Sequence, residues 1–333
     1  MRSLCKLVIQ VGIIGYRNHA KRIISLLNVK EDVKIKYIFH PVKSSEKSIN
    51  TNNISDLFKC DAIFIISPNH THFEYIKKFI HNFNGYIFCE KIPVVSIEEL
   101  EWLKKIPEAK KSKIFFNFNY RFRGVSELIK KYLNSEQIGR VIHINIISTH
   151  GLAFKQSYID SWRSNTELNP HSVLETSTVH FIDLLNLYLG SIELATYNPN
   201  KIANEGDSFD TSHVFLNYKN DVTASILNSY AGPFIYEISI IGTNGFFTIR
   251  DDKLIVQSPR DTFDEKGFFK SPPIVQEKPF KSKDDHIESL KKSIDFFLEH
   301  VKNLKRIDLE YFDSSIETNR LVLDLINNFK EKE

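Results

Sequence analysis

Two side chains that can exchange a proton near neutral pH stand out in this sequence. Lys91 follows Glu90 directly after the apolar run in "GYIFCEKIP". A lysine can act as an acid or base when partial burial and neighbouring cations lower its pKa. His180 needs no such shift, because an imidazole titrates in this range anyway. Together they could act on one hydroxyl, with a solvated turn lysine and a core-facing helical histidine as the structural alternatives.

The segment "VGIIGYRNHAKR" follows the first apolar run and leads into a helical pattern. Compared with G-x-G-x-x-G, it matches as Gly15, Arg17 and Ala20, with arginine where a glycine lets the backbone approach a pyrophosphate. The Arg17 guanidinium could itself contact phosphate beside the helix N-terminus. The alternative is a strand-to-helix turn without a ligand. The predicted cofactor contacts in this segment are Gly15, Tyr16, Arg17, Asn18 and His19.

Two further loops carry candidate cofactor contacts. The second strand ends in "IFHPVK", which has no acid to bind ribose hydroxyls, so His40 and Lys43 favour NADP over NAD unless His40-Pro41 is only a turn. After the third strand, Asn69 is expected to bond a ribose and His72 to pack near the cofactor. No third ligand accompanies His70 and His72, so no zinc site is predicted. The contacts predicted in this loop are Ser67, Pro68, Asn69 and His72.

The first third of the chain alternates short apolar runs with amphipathic helical patterns. The predicted strands are "KLVIQVGII", "IKYIF", "DAIFIIS", "GYIF" and "KIFFNFN". This order indicates βαβ units in a doubly wound parallel sheet, which binds ligands at the carboxyl ends of its strands. Gly15, Pro68-Asn69 and Glu90-Lys91 all follow such ends. We therefore predict an α/β protein whose N-terminal Rossmann domain spans residues 1–121.

Residues 122–333 have the pattern of an α+β domain. "GVSELIKKYLNSEQIG" predicts a helix that ends at Gly139, and "SVLETSTVHFIDLLNLYLG" predicts one that ends at Gly190. Alternating strands with tight turns follow, and two amphipathic helices close the chain, the last of which can pack back on the first domain. We expect a large, mostly antiparallel open sheet. Its uncovered face needs a partner, which favours a homodimer or homotetramer.

The composition excludes several classes of protein. The 333 residues include 44 Lys and Arg against 41 Asp and Glu, a net charge of +3, which is too balanced for a nucleic-acid or membrane-surface partner. No apolar run reaches the roughly 18 residues of a membrane helix. Cys5, Cys60 and Cys89 form no CxxC pair, so a reducing cytoplasm is the expected compartment.

Seven segments, in this order, resemble motifs of the Gfo/Idh/MocA family, the glucose–fructose oxidoreductase and inositol dehydrogenase group. One is similar to the family's Glu-Lys-Pro motif, with Ile92 inserted before the proline. The resemblance covers nearly the whole chain, and its specificity comes from the order of motifs that are individually weak. The segments are "SPNHTHFEY", "CEKIP", "NFNYRF", "IGRVIHI", "WRSN", "HFIDLLNLYLG" and "IIGTNG".

The resemblance implies an N-terminal domain that binds NAD(P) and a C-terminal domain that carries substrate specificity and oligomer contacts. It also implies reversible hydride transfer at a sugar or polyol hydroxyl, with Lys91 and His180 in substrate orientation and proton relay. Thr176 stands where the family often has an aspartate, four residues before the histidine. Glu175 cannot simply replace that aspartate, because it lies about 100° away around a helix.

We therefore predict an NAD(P)-dependent oxidoreductase that acts on a sugar, polyol or nucleotide-sugar. Glu90, Lys91 and Arg163 complete the cofactor set, and Lys91, His180 and Thr176 are the catalytic candidates. The departures at Arg17, His40 and Thr176 keep open an alternative, a non-catalytic Rossmann-fold sensor or scaffold. The predicted substrate contacts are Tyr120, Arg121, Tyr158, Trp162, Thr176 and His180.

Overall fold

The computed structural model describes residues 8–41, 49–133 and 135–331. The described chain forms two compact units. The first consists of residues within Met1–Phe118 together with Lys291–Arg320, and the second of Asn119–Leu290 together with Leu321–Glu333. Each unit is built on its own sheet.

The sheet of the first unit has six described strands: β1 (Ile9–Ile14), β2 (Val33–Phe39), β3 (Asn50–Thr51), β4 (Ala62–Ile65), β5 (Tyr86–Glu90) and β6 (Ile114–Asn117). All neighbours pair in parallel, in the order β3-β2-β1-β4-β5-β6. Every residue of β4, β5 and β6 is buried, as expected for strands covered on both faces. The predicted doubly wound parallel sheet is confirmed.

Helices cover this sheet: α1 (Asn18–Asn28), α2 (His72–Ile80), α3 (Ile97–Lys104) and the short α4 (Glu108–Lys111). In α1 the buried residues are Ala20, Ile23 and Leu27, whose spacing of three and four places them on one helix face. The core also receives Phe297, whose ring packs edge-on against Phe64 and Phe88.

The sheet of the second unit has eight described strands: β7 (Val141–Thr149), β8 (Ile192–Asn200), β9 (Thr211–Tyr218), β10 (Thr223–Ser229), β11 (Ile235–Gly242), β12 (Phe246–Arg250), β13 (Lys253–Gln257) and β14 (Ile274–Pro279). The order is β14-β13-β12-β11-β7-β10-β9-β8. The predicted large, mostly antiparallel open sheet is confirmed. One pair, β7 with β10, is parallel, which the sequence did not indicate.

The remaining helices are α5 (Gly124–Leu133), α6 (Gln156–Ile159), α7 (Val179–Leu189), α8 (Ser282–Lys302) and α9 (Leu309–Lys330). The predicted end of α5 at Gly139 is wrong, since the helix ends at Leu133. Gly139 instead takes φ +74° in the following turn, where an added Cβ would lie 2.5 Å from Thr243 Oγ1. Gly190, with φ +80°, follows the last residue of α7 as predicted.

Candidate active site

The carboxyl ends of parallel strands meet at one edge of the first sheet. Gly15 follows β1 there, and its backbone has a φ of +111°. A Cβ added to Gly15 would lie only 2.4 Å from the carbonyl oxygen of Ile66, which follows β4. Both the backbone angle and this close approach require glycine, as expected for the first residue of a phosphate loop.

The N-terminus of α1 begins beside this turn. Arg17 precedes the helix with an extended backbone, and no described side chain caps the helix or places an acid in its first turn. The first amides of α1 are therefore available to an anion. Tyr16, Arg17 and Asn18 are exposed, and His19 is half-buried. These features fit the phosphates of a dinucleotide.

Glu90, the last residue of β5, is a buried carboxylate with polar neighbours from two other elements. Its Oε1 lies 2.8 Å from His19 Nε2 and accepts a hydrogen bond from Asn117 Nδ2 at 2.7 Å. Burial by itself raises the pKa of Glu90, but His19, Asn117 and the charge of Lys91 outweigh it and lower the pKa to about 2. Glu90 is therefore ionised at neutral pH, and it connects the N-terminus of α1 to the strand end before Lys91.

The loop after β4 holds another buried polar group. Asn69 is 5% exposed, and its Nδ2 has no hydrogen-bond partner among the described residues. An unpartnered buried amide is costly unless a ligand or water satisfies it. This amide therefore fits the ribose contact predicted from the sequence.

His72 is fully buried, and both nitrogens of its imidazole contact backbone carbonyl groups. Its Nδ1 lies 2.7 Å from the carbonyl oxygen of Ile92, and its Nε2 lies 2.9 Å from that of Ser67. Burial lowers the pKa of His72, and its two backbone partners oppose this shift. His72 thus joins the Ser67–His72 loop to the residue that follows Lys91.

The end of β2 carries the predicted determinants of cofactor choice. His40 is half-buried and donates its backbone N–H to the carbonyl oxygen of Thr51 at 3.3 Å. Lys43 lies outside the described residues. Nearby is an open cavity of about 480 Å³, in which aromatic and lysine side chains lie together with one carboxylate, that of Glu74. The cavity is lined by Phe39, Ile54, Glu74, Tyr75, Lys77 and Lys78.

In the second unit, His180 lies in α7, directly after a π-helical turn at Leu174–Thr178. Such turns are frequent at functional sites. Thr176 lies in this turn and donates its hydroxyl to the carbonyl oxygen of Ser172 at 2.5 Å. The Tyr230 hydroxyl lies 2.5 Å from the same Thr176 oxygen. Because a hydroxyl has one proton, Tyr230 is the donor in the second contact, and this chain of hydrogen bonds ends on a backbone carbonyl.

The sequence did not indicate two further side chains: Tyr230, which contacts Thr176, and His150, which stacks on Tyr230. Their rings stack with centroids 5.0 Å apart and an interplanar angle of 17°. Each follows the last residue of a strand, and those residues, Ser229 and Thr149, pair across the parallel strands β10 and β7. The only local signal was an aromatic side chain directly after a strand in "NSYAG".

Two other predicted contacts, Tyr158 and Arg163, lie near Tyr230, and Trp162 lies beside Arg163. Tyr158 is 2% exposed and packs edge-on against Tyr230, with centroids 5.8 Å apart. Burial raises the pKa of Tyr158 to about 12. The guanidinium of Arg163 lies 4.7 Å from the ring centroid of Trp162 and interacts electrostatically with both tyrosines. The second unit thus brings together Tyr158, Trp162, Arg163 and Thr176.

Arg121, predicted to contact substrate, forms a two-point ion pair with Asp183 of α7. Its Nε lies 2.8 Å from Oδ2 and its Nη2 lies 2.5 Å from Oδ1. The two side chains are 7% and 0% exposed. A substrate anion would have to compete with this buried carboxylate. The geometry favours a structural contribution, in which Arg121 connects the turn Asn119–Phe122 to α7.

Replacing Arg121 with methionine is expected to lower the free energy of unfolding by about 3–5 kcal/mol, because the charge of Asp183 stays buried without its ion-pair partner. The double replacement Arg121→Met with Asp183→Leu should recover most of this loss. Equilibrium urea unfolding measures both. The exposed pair Arg320–Glu317 is the control, and Arg320→Met should cost no more than about 1 kcal/mol. Equal effects at the two arginines would contradict the expectation.

Each unit has its own sheet, and in the first unit the turn at Gly15 leaves the first amides of α1 open to an anion. These features define a class, the two-domain proteins with a dinucleotide-binding Rossmann domain. Residues 9–118 match the family model described as an oxidoreductase family with an NAD-binding Rossmann fold. Residues 127–248 match the model of the GFO/IDH/MocA C-terminal domain. The chain belongs to the Gfo/Idh/MocA oxidoreductase family, as its ordered motifs predicted.

The chain is also similar to individual proteins. The chain is 27% identical over 193 residues to an inositol 2-dehydrogenase from Rhizobium meliloti, and the match covers 56% of each chain, so it spans little more than half of that relative. A solved myo-inositol 2-dehydrogenase from Lactobacillus plantarum has a TM-score of 0.75 at 18% identity and 98% coverage of both chains. An Agrobacterium radiobacter oxidoreductase, solved with NAD+, L-tartaric acid and magnesium, has a TM-score of 0.74 at 15% identity and 94% coverage of both.

Within the described residues, no helix has the length and apolar character needed to cross a membrane. The same part of the chain has no group of three or more His, Cys, Asp or Glu side chains that could hold a metal ion. Cys60 and Cys89 are both free and buried.

Proposed function

We propose that this protein is an NAD(P)-dependent oxidoreductase that transfers a hydride to or from a hydroxyl-bearing carbon of a sugar, polyol or nucleotide-sugar. The observation that carries the proposal is the ionised Glu90, which is bonded to His19 at the helix N-terminus and precedes Lys91. A turn with no function has no need of a buried carboxylate, which costs free energy to desolvate. The names of the inositol dehydrogenase relatives support the substrate class.

The residues of the first unit suit particular parts of the cofactor. The turn at Gly15, the first amides of α1 and the Arg17 guanidinium would hold the pyrophosphate. Asn69 would hold a ribose through its buried amide. The bound NAD(P) supplies the hydride acceptor or donor.

Lys91 and His180 are the proposed acid–base residues. For oxidation, the neutral Lys91 amine would accept the proton of the reacting hydroxyl, and for reduction the ammonium would return it to the carbonyl oxygen. Glu90 cannot take that proton, because its pKa of about 2 keeps it ionised, so it stabilises positive charge beside it. The hydroxyl has one such proton, and His180 is the other group that would accept or return it. Thr176 remains a proposed substrate contact, but its own proton is directed to Ser172.

Cofactor titration tests the proposal. NADH or NADPH should bind the purified protein with quenching of its fluorescence. When NAD+ or NADP+ is supplied instead, a panel of polyols and nucleotide-sugars should include a substrate whose oxidation raises absorbance at the band of the reduced nicotinamide. If neither reduced cofactor bound at millimolar concentration, the dehydrogenase proposal would fail.

We also propose that the protein prefers NADP to NAD. NADPH is expected to bind about tenfold more tightly than NADH, because His40 and Lys43 favour a 2′-phosphate and "IFHPVK" offers no acid to the ribose. His40→Asp should reverse the order of the two dissociation constants. Lys34→Ala, an exposed lysine of β2, is the control and should leave the ratio unchanged. A clearly lower dissociation constant for NADH in the wild-type protein would overturn the preference.

We also propose a homodimer or homotetramer formed through the second sheet, in a reducing cytoplasm. Several large apolar side chains on the strands of that sheet are more than a third exposed: Ile142, Leu194, Phe215 and Ile241. Where such side chains form a contiguous patch, the surface is typical of a protein–protein contact. Sedimentation velocity reports the state directly.

One observation favours the second candidate function, a nucleotide or sugar sensor. The hydrogen-bond chain at Thr176 ends on a backbone carbonyl, so this position supplies no ionisable group to His180. A sensor would bind cofactor or sugar without turnover. Binding of NADPH together with failure to convert any member of the substrate panel would support this candidate over the oxidoreductase.

A further inference from the structure

The imidazole of His180 lies face to face with the ring of Tyr120. The ring centroids are 4.3 Å apart and the planes differ by 13°. His180 is 8% exposed, and Tyr120 is half-buried in the turn Asn119–Phe122. A nearly parallel stack of this kind restricts rotation of the imidazole about its χ2 bond.

Tyr120 is itself held in place by its neighbours. The guanidinium carbon of Arg123 lies 4.6 Å from the Tyr120 centroid and 4.9 Å from that of Tyr236. Phe181 packs edge-on against Tyr120, with centroids 5.3 Å apart. Contact with a buried guanidinium stabilises an aromatic ring in one orientation. Tyr120 therefore has little freedom to turn toward a ligand.

Arg123 is held in place by two hydrogen-bond partners. It is 2% exposed, its Nε donates to Asp285 Oδ2 at 2.7 Å, and its Nη2 donates to the carbonyl oxygen of Ser282 at 3.1 Å. A buried arginine with its carboxylate and carbonyl partners is costly to move. We call the set His180, Tyr120, Arg123 and Tyr236 the stacked column.

We propose that Tyr120 is a positioning residue for His180, and that Arg123 holds Tyr120 in the stacked column. This inference rests on the proposed function, in which His180 accepts or returns the proton of the reacting hydroxyl. The role differs from the substrate contact predicted from the sequence, because Tyr120 acts through its ring face on the imidazole rather than through its hydroxyl on the ligand. An acid–base residue that is displaced by about 1 Å can lose roughly 10²-fold in rate.

Two substitutions separate the alternatives. Tyr120→Phe keeps the ring and removes the hydroxyl, so kcat and KM should both stay within about threefold of wild type. Tyr120→Leu removes the ring, so kcat should fall at least about tenfold while KM changes little, because orientation of the catalytic group is lost and ground-state binding is not. Tyr120→Met is a second ringless variant should Tyr120→Leu prove unstable. A raised KM in Tyr120→Phe would show a substrate contact through the hydroxyl and overturn the proposal.

A spectroscopic measurement tests the stack without turnover. In protein labelled at histidine, the His180 ring protons should show an upfield ring-current shift in wild type and Tyr120→Phe, and lose it in Tyr120→Leu or Tyr120→Met. The signal is assigned by its absence in His180→Gln. If no substrate were converted but the shift behaved as expected, the proposed function would fail and the stacked column would stand. An unshifted His180 signal in the wild-type protein would overturn the column itself.

Discussion

Lys91→Ala is expected to abolish turnover of the proposed sugar, polyol or nucleotide-sugar substrate while the dissociation constant for NADPH changes by no more than about threefold. The loss should be about 10²–10⁴-fold in kcat, the usual contribution of a positioned general acid or base. Lys91 follows β5, where Glu90 is held ionised by His19 and Asn117. Lys91 would exchange a proton with the reacting oxygen beside this fixed negative charge.

Two controls sharpen this test. Lys91→Arg keeps a positive charge but cannot release its proton near neutral pH, so it should be nearly as inactive as the alanine variant. Lys105→Ala removes an exposed lysine just after α3 and should be fully active. Turnover like that of the wild type in Lys91→Ala would refute the assigned role. An equal loss of NADPH binding would instead place Lys91 in cofactor binding.

Gly15→Ala is expected to weaken NADPH binding by about a hundredfold or more. The methyl group would lie 2.4 Å from the carbonyl oxygen of Ile66, and the φ of +111° is unfavourable for any residue with a Cβ. The loops after β1 and β4 must therefore separate. That movement displaces the first amides of α1, which we propose bind the pyrophosphate.

The matched control for Gly15 is Gly267, which also has a positive φ, of +80°. An added Cβ at Gly267 would meet no described atom within 4 Å. Gly267→Ala therefore carries backbone strain without the close contact, and it should leave the dissociation constant unchanged. Isothermal titration of both variants, with their unfolding midpoints, separates lost binding from lost stability. Unchanged NADPH affinity in a folded Gly15→Ala protein would rule out a cofactor site at this turn.

Much of the first unit could be predicted because its signals are local. The apolar runs of β1, β4, β5 and β6 are short, continuous and separated by helical patterns, which is typical of parallel strands buried on both faces. β3, with two residues, was too short to recognise. The end of α5 was misplaced, because the polar segment after Leu133 continues a helical pattern although the backbone turns there.

The partners of the site residues could not be predicted in the same way. Glu90 meets His19 across 71 residues, and Arg121 meets Asp183 across 62. Residue type indicates that each side chain needs a partner, but it does not specify which one. His150 and Tyr230 were missed for a related reason. Their contact depends on the parallel pairing of β7 with β10, which alternation of apolar residues does not distinguish from antiparallel pairing.

The sequence alone determined the family, the parallel sheet of the first domain and the open sheet of the second. It also located Gly15 and the Glu90-Lys91 pair at strand ends. These features depend on residues a few positions apart, whose periodicity and backbone preferences are set locally. Only the tertiary structure decided that Glu90 is ionised between His19 and Asn117, that Arg121 is paired with Asp183, and that Tyr120 stacks on His180. Those states depend on burial and on charges contributed by distant parts of the chain, which exist only once the chain has folded.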